Sequence, residues 1–283
     1  MIEKYLLSGN CIIKLNLEKN LYKKIMDNSF LKSYIPSVKI LTNYKSIYDA
    51  MITFRSDKLN SYCIDYPKAY YNYETENIKD IISFIEYIFE RCRQEKGVIC
   101  IHGAGAIINN KAIVSFGTTT GMGKTTLALE LSKNNYFYSD EKILIDLNSK
   151  KAIGRIASQY ISNEYWRKCC GDKEYLTLKN LANDIPYSII MFIQPLLCDQ
   201  QEYTYDEWDE KKFLWHLYEE SSRKIRGTSR IFFDNTVPAI SLDTIELSKK
   251  RLELLKVFTK EIKSVYYKGN VDNIITKITN YIL

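Results

Sequence analysis

Residues Val114 to Leu131 read VSFGTTTGMGKTTLALEL, an apolar strand, a glycine-rich turn carrying a lysine, and a helix. That order of elements is how proteins grip phosphate. Successive backbone N–H groups running into a helix N-terminus form an anion cradle, and the aligned peptide dipoles add positive potential there. Gly121, Met122, Gly123, Lys124, Thr125 and Thr126 are the candidate phosphate-binding residues. Lys124 is placed to reach the terminal phosphates, and the Thr125 hydroxyl to ligate magnesium. Mg2+ and the phosphates of a nucleotide, ATP or GTP, are therefore the expected ligands. Gly121, Gly123, Lys124 and Thr125 fit the P-loop spacing, whereas Thr118 stands where the first glycine belongs and Gly117 lies one place early. A chance glycine-rich turn is the competing explanation. It has to account for a strand and a helix that both fall where the mechanism requires them.

With 283 residues the chain has length for one large or two modest domains and a sizeable core. No apolar run approaches the ~20 residues of a membrane span, and the opening MIEKYLLSGN lacks the pattern of a signal peptide. The seven cysteines are odd in number, scattered and without CxxC pairs, which fits free thiols in a reducing cytoplasm. The adjacent Cys169 and Cys170 have no histidine nearby and do not read as a metal or redox pair. A formal charge of +6 is small for this size. A phosphate-binding enzyme is itself slightly basic, so neither a nucleic-acid nor a membrane partner is invoked.

Residues 1 to about 74 read as short strands rich in tyrosine and β-branched residues: NCIIKLNL, DAMITFRS and SYCIDYPKAYYNY. A helix over IKDIISFIEYIFERCRQ follows, opened by Thr75 or Asn77 and ended by Gly97. In VICIHGAGAIINNKAIVSFG two apolar strands meet at Asn109-Asn110, a pair suited to the positive φ of a tight hairpin. The loop helix, Gly123 to Lys133, precedes YFYSDEKILIDLNSKKAIGRI, read as strand, turn at Asn148 to Lys150, and strand. Residues 157 to 184 are polar and helical in character, and YSIIMFIQP is a buried strand. Helices are expected from Asp206 to Arg226, from Asp243 to Lys263, and over VDNIITKITNYIL with Asn270 as its cap. The division drawn from this is a strand-rich region over 1–96, ending in a helix, and a phosphate-loop domain over 97–283.

From Gly97 to Asp146 the chain resembles the HPr kinase-like family, the P-loop-containing, ATP-dependent serine kinases related to HPr kinase/phosphorylase. In that family a strand bearing His-Gly leads into a hairpin, then the loop strand, loop and helix, then a short acidic motif. Here these are His102-Gly103, the GTTTGMGKTT loop, and Ser139-Asp140-Glu141. The resemblance implies an α/β fold: a P-loop-containing mixed β-sheet core with flanking helices, like the HPr kinase C-terminal domain, preceded by the strand-rich N-terminal region. It also implies a phosphotransferase acting on a serine-bearing protein, peptide or small molecule, and is compatible with a homo-oligomer. Asp140 is then the candidate base, with Glu141 sharing that role or joining Thr125 on magnesium. The departures are Thr118 in the loop, Asp140-Glu141 in place of paired aspartates one residue further on, and KIRGTSRIFF (224–233). That last segment is similar to the Glu-Ile-Arg-Gly motif of HPr kinase but has Lys224 in place of the glutamate.

Phosphoryl transfer is largely positioning plus charge stabilisation, and an alcohol acceptor adds the need for a base. His102, Lys124, Asp140 and Glu141 are the candidate catalytic residues. His102 is read both as an active-site and as a structural histidine, with Gly103 and Gly105 leaving room beside it. His216, between Trp215 and Leu217, is assigned to packing. Asp146, at the end of ILID, fits an outward-facing strand residue better than a magnesium ligand. Arg226 or Arg230 are weaker candidates for neutralising transition-state charge. The rival function is a nucleotide-dependent switch or accessory ATPase with no phosphorylated acceptor. TGMGKTT is also similar to the loops of partition-type ATPases, but Thr119 stands where those carry a signature lysine.

Overall fold

The computed structural model describes residues 1–42, 47–117, 119–156, 180–199, 202–228, 230–233 and 236–282, and the backbone of 160–162 and 173–175. They form a mixed α/β structure in two compact units, Met1–Ile99 with Ser221–Lys249, and Cys100–Glu220 with Lys250–Leu283. The chain thus changes unit close to residue 97, but 221–249 folds with the N-terminal unit and not with the phosphate-loop domain to which its position in sequence assigned it.

The first unit opens with β1 (Ile2–Ser8), β2 (Cys11–Leu17), α1 (Lys19–Asp27), α2 (Ser29–Tyr34), β3 (Lys39–Leu41), β4 (Ala50–Ser56), β5 (Ser61–Asp65), β6 (Lys68–Tyr73) and α3 (Ile78–Glu95). Its six strands make one sheet in the order β3-β1-β2-β4-β6-β5. The strands alternate: in β2 every second residue from Cys11 to Leu17 is buried, as expected for a sheet with one covered face. That cover is α3. Its N-cap is Asn77, whose side chain accepts from the Asp80 N–H at 3.2 Å, and Gly97 follows its end at φ 77°.

Inside this unit Arg93 is fully buried. It donates to both Glu86 oxygens (3.1 and 3.2 Å) and to the Ser8 hydroxyl (2.6 Å), with a Glu90 oxygen at 3.7 Å. One guanidinium faces two buried carboxylates. Burial first, then the charge on Glu86, pushes the Glu90 carboxyl above the usual range, and two Arg93 hydrogen bonds go to Glu86. Removing the cation leaves Glu86 charged in a dry site, so Arg93→Ala is expected to cost about 3–5 kcal/mol, read as a lowered urea midpoint.

The second unit takes the chain through β7 (Val98–Ile101), β8 (Gly103–Ile108), β9 (Lys111–Phe116), α4 (Lys124–Ser132), β10 (Tyr136–Ser139), β11 (Ile143–Asp146), β12 (Lys151–Arg155), β13 (Tyr160–Ser162), β14 (Lys173–Tyr175), β15 (Tyr187–Leu197), β16 (Thr204–Glu207) and α5 (Glu210–Ile225). After β17 (Ile231–Phe232) and β18 (Val237–Pro238), which pair within the first unit, come α6 (Ile245–Glu261), β19 (Lys263–Gly269) and α7 (Val271–Ile282). The large sheet runs β10-β8-β9-β15-β12-β11-β7, with β19 paired to both β15 and β16. β15 is parallel to β9 and to β19, whereas β8 is antiparallel to β9 and to β10.

Both faces of this sheet are covered. On one, Leu127 and Leu131 of α4 and Ile274 and Ile278 of α7 share a core with Ile113, Met191 and Val265. On the other, Phe116 and Phe192 meet Phe213 of α5 at 5.8 and 5.1 Å between ring centres, and Phe192 meets Phe258 of α6 at 5.9 Å. Trp208 joins this cluster from the turn before α5 and carries the His216 ring at 4.6 Å, so His216 does pack.

Several sequence expectations change. The apolar run from Val98 is broken at His102 into β7 and β8, which lie at different places in the sheet. YFYSDEKILID is broken at Asp140–Lys142 into β10 and β11. Where 157–184 was read as helical, the described residues are the strands β13 and β14 and the loop before β15; the others, with Thr118, Cys169 and Cys170, lie outside the described residues. The helix expected to reach Lys263 stops at Glu261, because KSVYYKG forms β19. Among the described residues, no helix is long and apolar enough to cross a membrane.

Candidate functional site

The register of the large sheet brings three chain segments to one edge. Gly103 at the start of β8 pairs with Phe116 at the end of β9, and Gly105 pairs with Ser139 at the end of β10. Asn109 and Asn110, at φ 49° and 61°, make the hairpin turn that sets this register. His102, the 119–123 loop and Asp140-Glu141 therefore meet beside the N-terminus of α4. Close packing fixes the arrangement: a Cβ at Gly103 would lie 2.5 Å from the Ser115 carbonyl oxygen, so the glycine of His-Gly is required by strand approach alone. The Ser115 hydroxyl donates to the carbonyls of Ala104 and Lys124, at 2.9 and 3.0 Å, tying β8, β9 and the first turn of α4 together.

The loop enters α4 through Gly123, a left-handed N-cap at φ 94° whose Cβ would collide with Leu197 at 2.5 Å. Only glycine fits there. At Gly121 a Cβ would meet nothing within 4 Å, so the loop is open at that point. Lys124 is buried at 8% exposure, and its Nζ donates back to the Thr119 carbonyl at 2.8 Å. Burial pulls its ammonium below the ordinary lysine range, and the charges of Glu220 and then Asp140 pull it back up. The lysine is thus folded into its own loop, between carboxylates.

Asp140 is 7% exposed and its Oδ1 accepts from the Thr125 hydroxyl at 2.8 Å. The acidic turn is braced from behind: the Ser139 hydroxyl donates to the Lys142 carbonyl at 2.7 Å and accepts from the Ile156 N–H at 3.0 Å. Glu141 adopts φ 65°, and His102 Nδ1 lies 3.0 Å from its carbonyl oxygen. A carbonyl only accepts, so Nδ1 carries the hydrogen. It is Asp140, and not Glu141, that reaches Thr125. Of the acidic pair, the side chain hydrogen-bonded to the Thr125 hydroxyl is that of Asp140.

One further carboxylate belongs to the cluster. The Glu220 side chain accepts from the His102 backbone N–H, and Glu220 is 7% exposed. On α5, Phe213, Leu217 and Glu220 share one face, the first two fully in the core. A carboxylate at the next core position of an otherwise apolar stripe is the sequence signal for it.

The remaining candidates make contacts of their own. Asp146 accepts from the Asn148 N–H at 3.0 Å and the Ser149 hydroxyl at 2.6 Å, an aspartate closing its own turn. Arg226 pairs with Asp243 at 3.3 Å, and Arg230 donates to the Ser83 carbonyl at 3.0 Å beneath the Tyr87 ring; all of these contacts are within the first unit. The described cysteines, Cys11, Cys63, Cys92, Cys100 and Cys198, are free thiols. In comparisons with known proteins, no family model matches the chain and no curated protein matches it.

Proposed function

We propose that the chain is an ATP-dependent kinase that moves the γ-phosphate of ATP to a serine hydroxyl of a protein, peptide or small molecule, with the β9–loop–α4 unit as its P-loop. The observation that carries this reading is the contact of Asp140 with Thr125 in the first turn of α4, beside the buried Lys124. A lysine, a hydroxyl and a carboxylate around a helix N-terminus are the set that phosphoryl transfer to an alcohol needs.

The donor chemistry fits the ligands. Thr125 Oγ1 is a hard oxygen donor, which suits magnesium, and the loop is open at Gly121, where phosphate oxygens would meet backbone N–H groups. Magnesium, when bound, supplies neutralisation of phosphate charge. Lys124 exchanges the Thr119 carbonyl for phosphate oxygens, Asp140 takes the proton of the attacking hydroxyl, and His102 braces the acidic turn through the Glu141 carbonyl. The substrate is a serine-bearing molecule and neither a nucleic acid nor a membrane, and the proposed location is the cytoplasm.

The test is mass balance of labelled γ-phosphate over serine, serine-containing peptides and co-encoded proteins. The kinase reading expects slow hydrolysis without acceptor and transfer of the label when the right acceptor is present. If the label leaves wholly as free phosphate with every acceptor, and one partner accelerates its release, the chain is a nucleotide switch.

A further inference from the structure

We propose that the polar cleft between the β8–β9 turn, the end of α4 and the start of β10 is a binding site for a neutral saccharide. The site is separate from the phosphate loop and does not depend on the nucleotide reading.

Among the described residues the cleft is lined by Asn109, Asn110, Asn134, Asn135, Tyr136 and Asn180, and its volume is about 470 Å3. Small-molecule sites fall at about 300–1,000 Å3. Three chain segments build its walls. Asn109 and Asn110 turn β8 into β9 at positive φ. Asn134-Asn135 closes α4, the Asn135 N–H donating to the Ser132 carbonyl at 3.2 Å and its Nδ2 to the Leu131 carbonyl at 3.0 Å. Along the outer edge of β10, the Phe137 N–H donates to the Asn180 carbonyl at 2.7 Å and the Ala182 N–H to the Phe137 carbonyl at 2.8 Å, which sets Asn180 next to the start of that strand.

Backbone geometry accounts for the turns but not for the lining. Among the described residues, the Asn109, Asn110, Asn134 and Asn180 side chains make no hydrogen bond within the fold; only Asn135 does. Tyr136 pairs with Ile107 in the sheet and is 56% exposed, whereas the next residue, Phe137, is fully buried. An aromatic ring therefore stands open to solvent among five carboxamides.

These groups select the chemistry of the occupant. No lining residue carries a charge, so an ion would lose hydration in the cleft and find no counter-charge. Apart from the one ring there is no apolar wall for a hydrophobic ligand. Each carboxamide offers two N–H donors and an acceptor oxygen, the complement of neighbouring sugar hydroxyls, each of which both donates and accepts. A pyranose also has a C–H face, which can cover the Tyr136 ring. The cleft and the phosphate loop lie at opposite ends of the same elements: α4, nine residues and about 14 Å long, and the six-residue strands β8 and β9, about 20 Å each. A sugar ring held there is anchored away from Lys124 and is not placed as the phosphate acceptor.

The test titrates the full chain with maltotriose, cellotriose and N,N′-diacetylchitobiose, following asparagine side-chain amide and tyrosine ring signals by NMR. At least one should bind at millimolar concentration or below. Tyr136→Ala should weaken that binding about tenfold and Tyr136→Phe by no more than about twofold, the difference between losing the ring and losing its hydroxyl. Asn110→Gly keeps a residue suited to the turn and Asn134→Ala lies past the helix; each should weaken binding a few-fold. Lys124→Ala should bind as the wild type does. If none of the three saccharides binds, or one binds equally to the wild type, Tyr136→Ala and Asn110→Gly, the proposal is overturned. A capped diglycine peptide that binds where the saccharides do not makes the cleft a peptide site and overturns the ligand class.

Discussion

Lys124→Ala is expected to leave the protein folded while weakening Mg-ATP by about 10- to 100-fold, the loss of one charge-assisted contact to phosphate. Phosphoryl transfer should fall further than binding, because the same ammonium faces charge that grows in the transition state. Folding survives because the substitution removes a desolvated cation whose hydrogen bond is to a carbonyl of its own loop. Deleting such a group relieves a desolvation cost as well as removing contacts. Calorimetry reads the affinity, thermal unfolding checks the fold, and labelled γ-phosphate reads the transfer. An unchanged Mg-ATP affinity in a folded variant removes the P-loop assignment, and the kinase proposal with it.

The strand, glycine turn and helix formed by β9, the residues before α4, and α4 were legible in the sequence because all these parts are consecutive. A strand, glycines and a helix set their own geometry, and the caps Asn77 and Asn270 and the turn Asn109-Asn110 act on neighbours within a few residues. What failed to show was set by contacts distant in sequence. His102 interrupts an apolar run, and only the pairing of β8 with β9 and β10 reveals that the chain bends there. The return of 221–249 to the N-terminal unit depends on Phe232 and Phe233 entering a ring cluster with Tyr71 and Phe84, which no local pattern announces. KSVYYKG follows a helix without a break, and becomes a strand only because β15 and β16 lie on either side of it.

The same distinction separates the two carboxylates of the acidic motif. By resemblance Asp140 is the candidate base, and Glu141 either shares that role or joins Thr125 on magnesium. The positive φ at Glu141 turns the chain so that its carbonyl meets His102 while the Asp140 carboxylate meets Thr125. Glu220 is more hidden still. It lies 118 residues from the His102 N–H that it accepts, and on α5 its own neighbours mark only that a charge occupies a core stripe.

The assignment of the base to Asp140 has a large consequence. Asp140→Asn keeps an oxygen that accepts from Thr125, so the acidic turn, braced independently by Ser139, should keep its shape. Mg-ATP affinity is then expected to stay within a few-fold, since Lys124 and the loop N–H groups are untouched. Transfer to the acceptor is expected to drop by roughly two to four orders of magnitude, the range for loss of a general base. The variant also separates the two jobs a carboxylate beside Thr125 can do. A base affects the chemical step, so its loss lowers kcat and leaves the magnesium dependence of the rate in place. A metal ligand binds in the ground state, so its loss raises the magnesium concentration needed for half-maximal rate. Single-turnover transfer of labelled γ-phosphate across a magnesium series distinguishes them. A fall in rate at every magnesium concentration assigns the proton to Asp140, recovery at high magnesium assigns it the metal, and full turnover throughout returns it to a structural bond with Thr125.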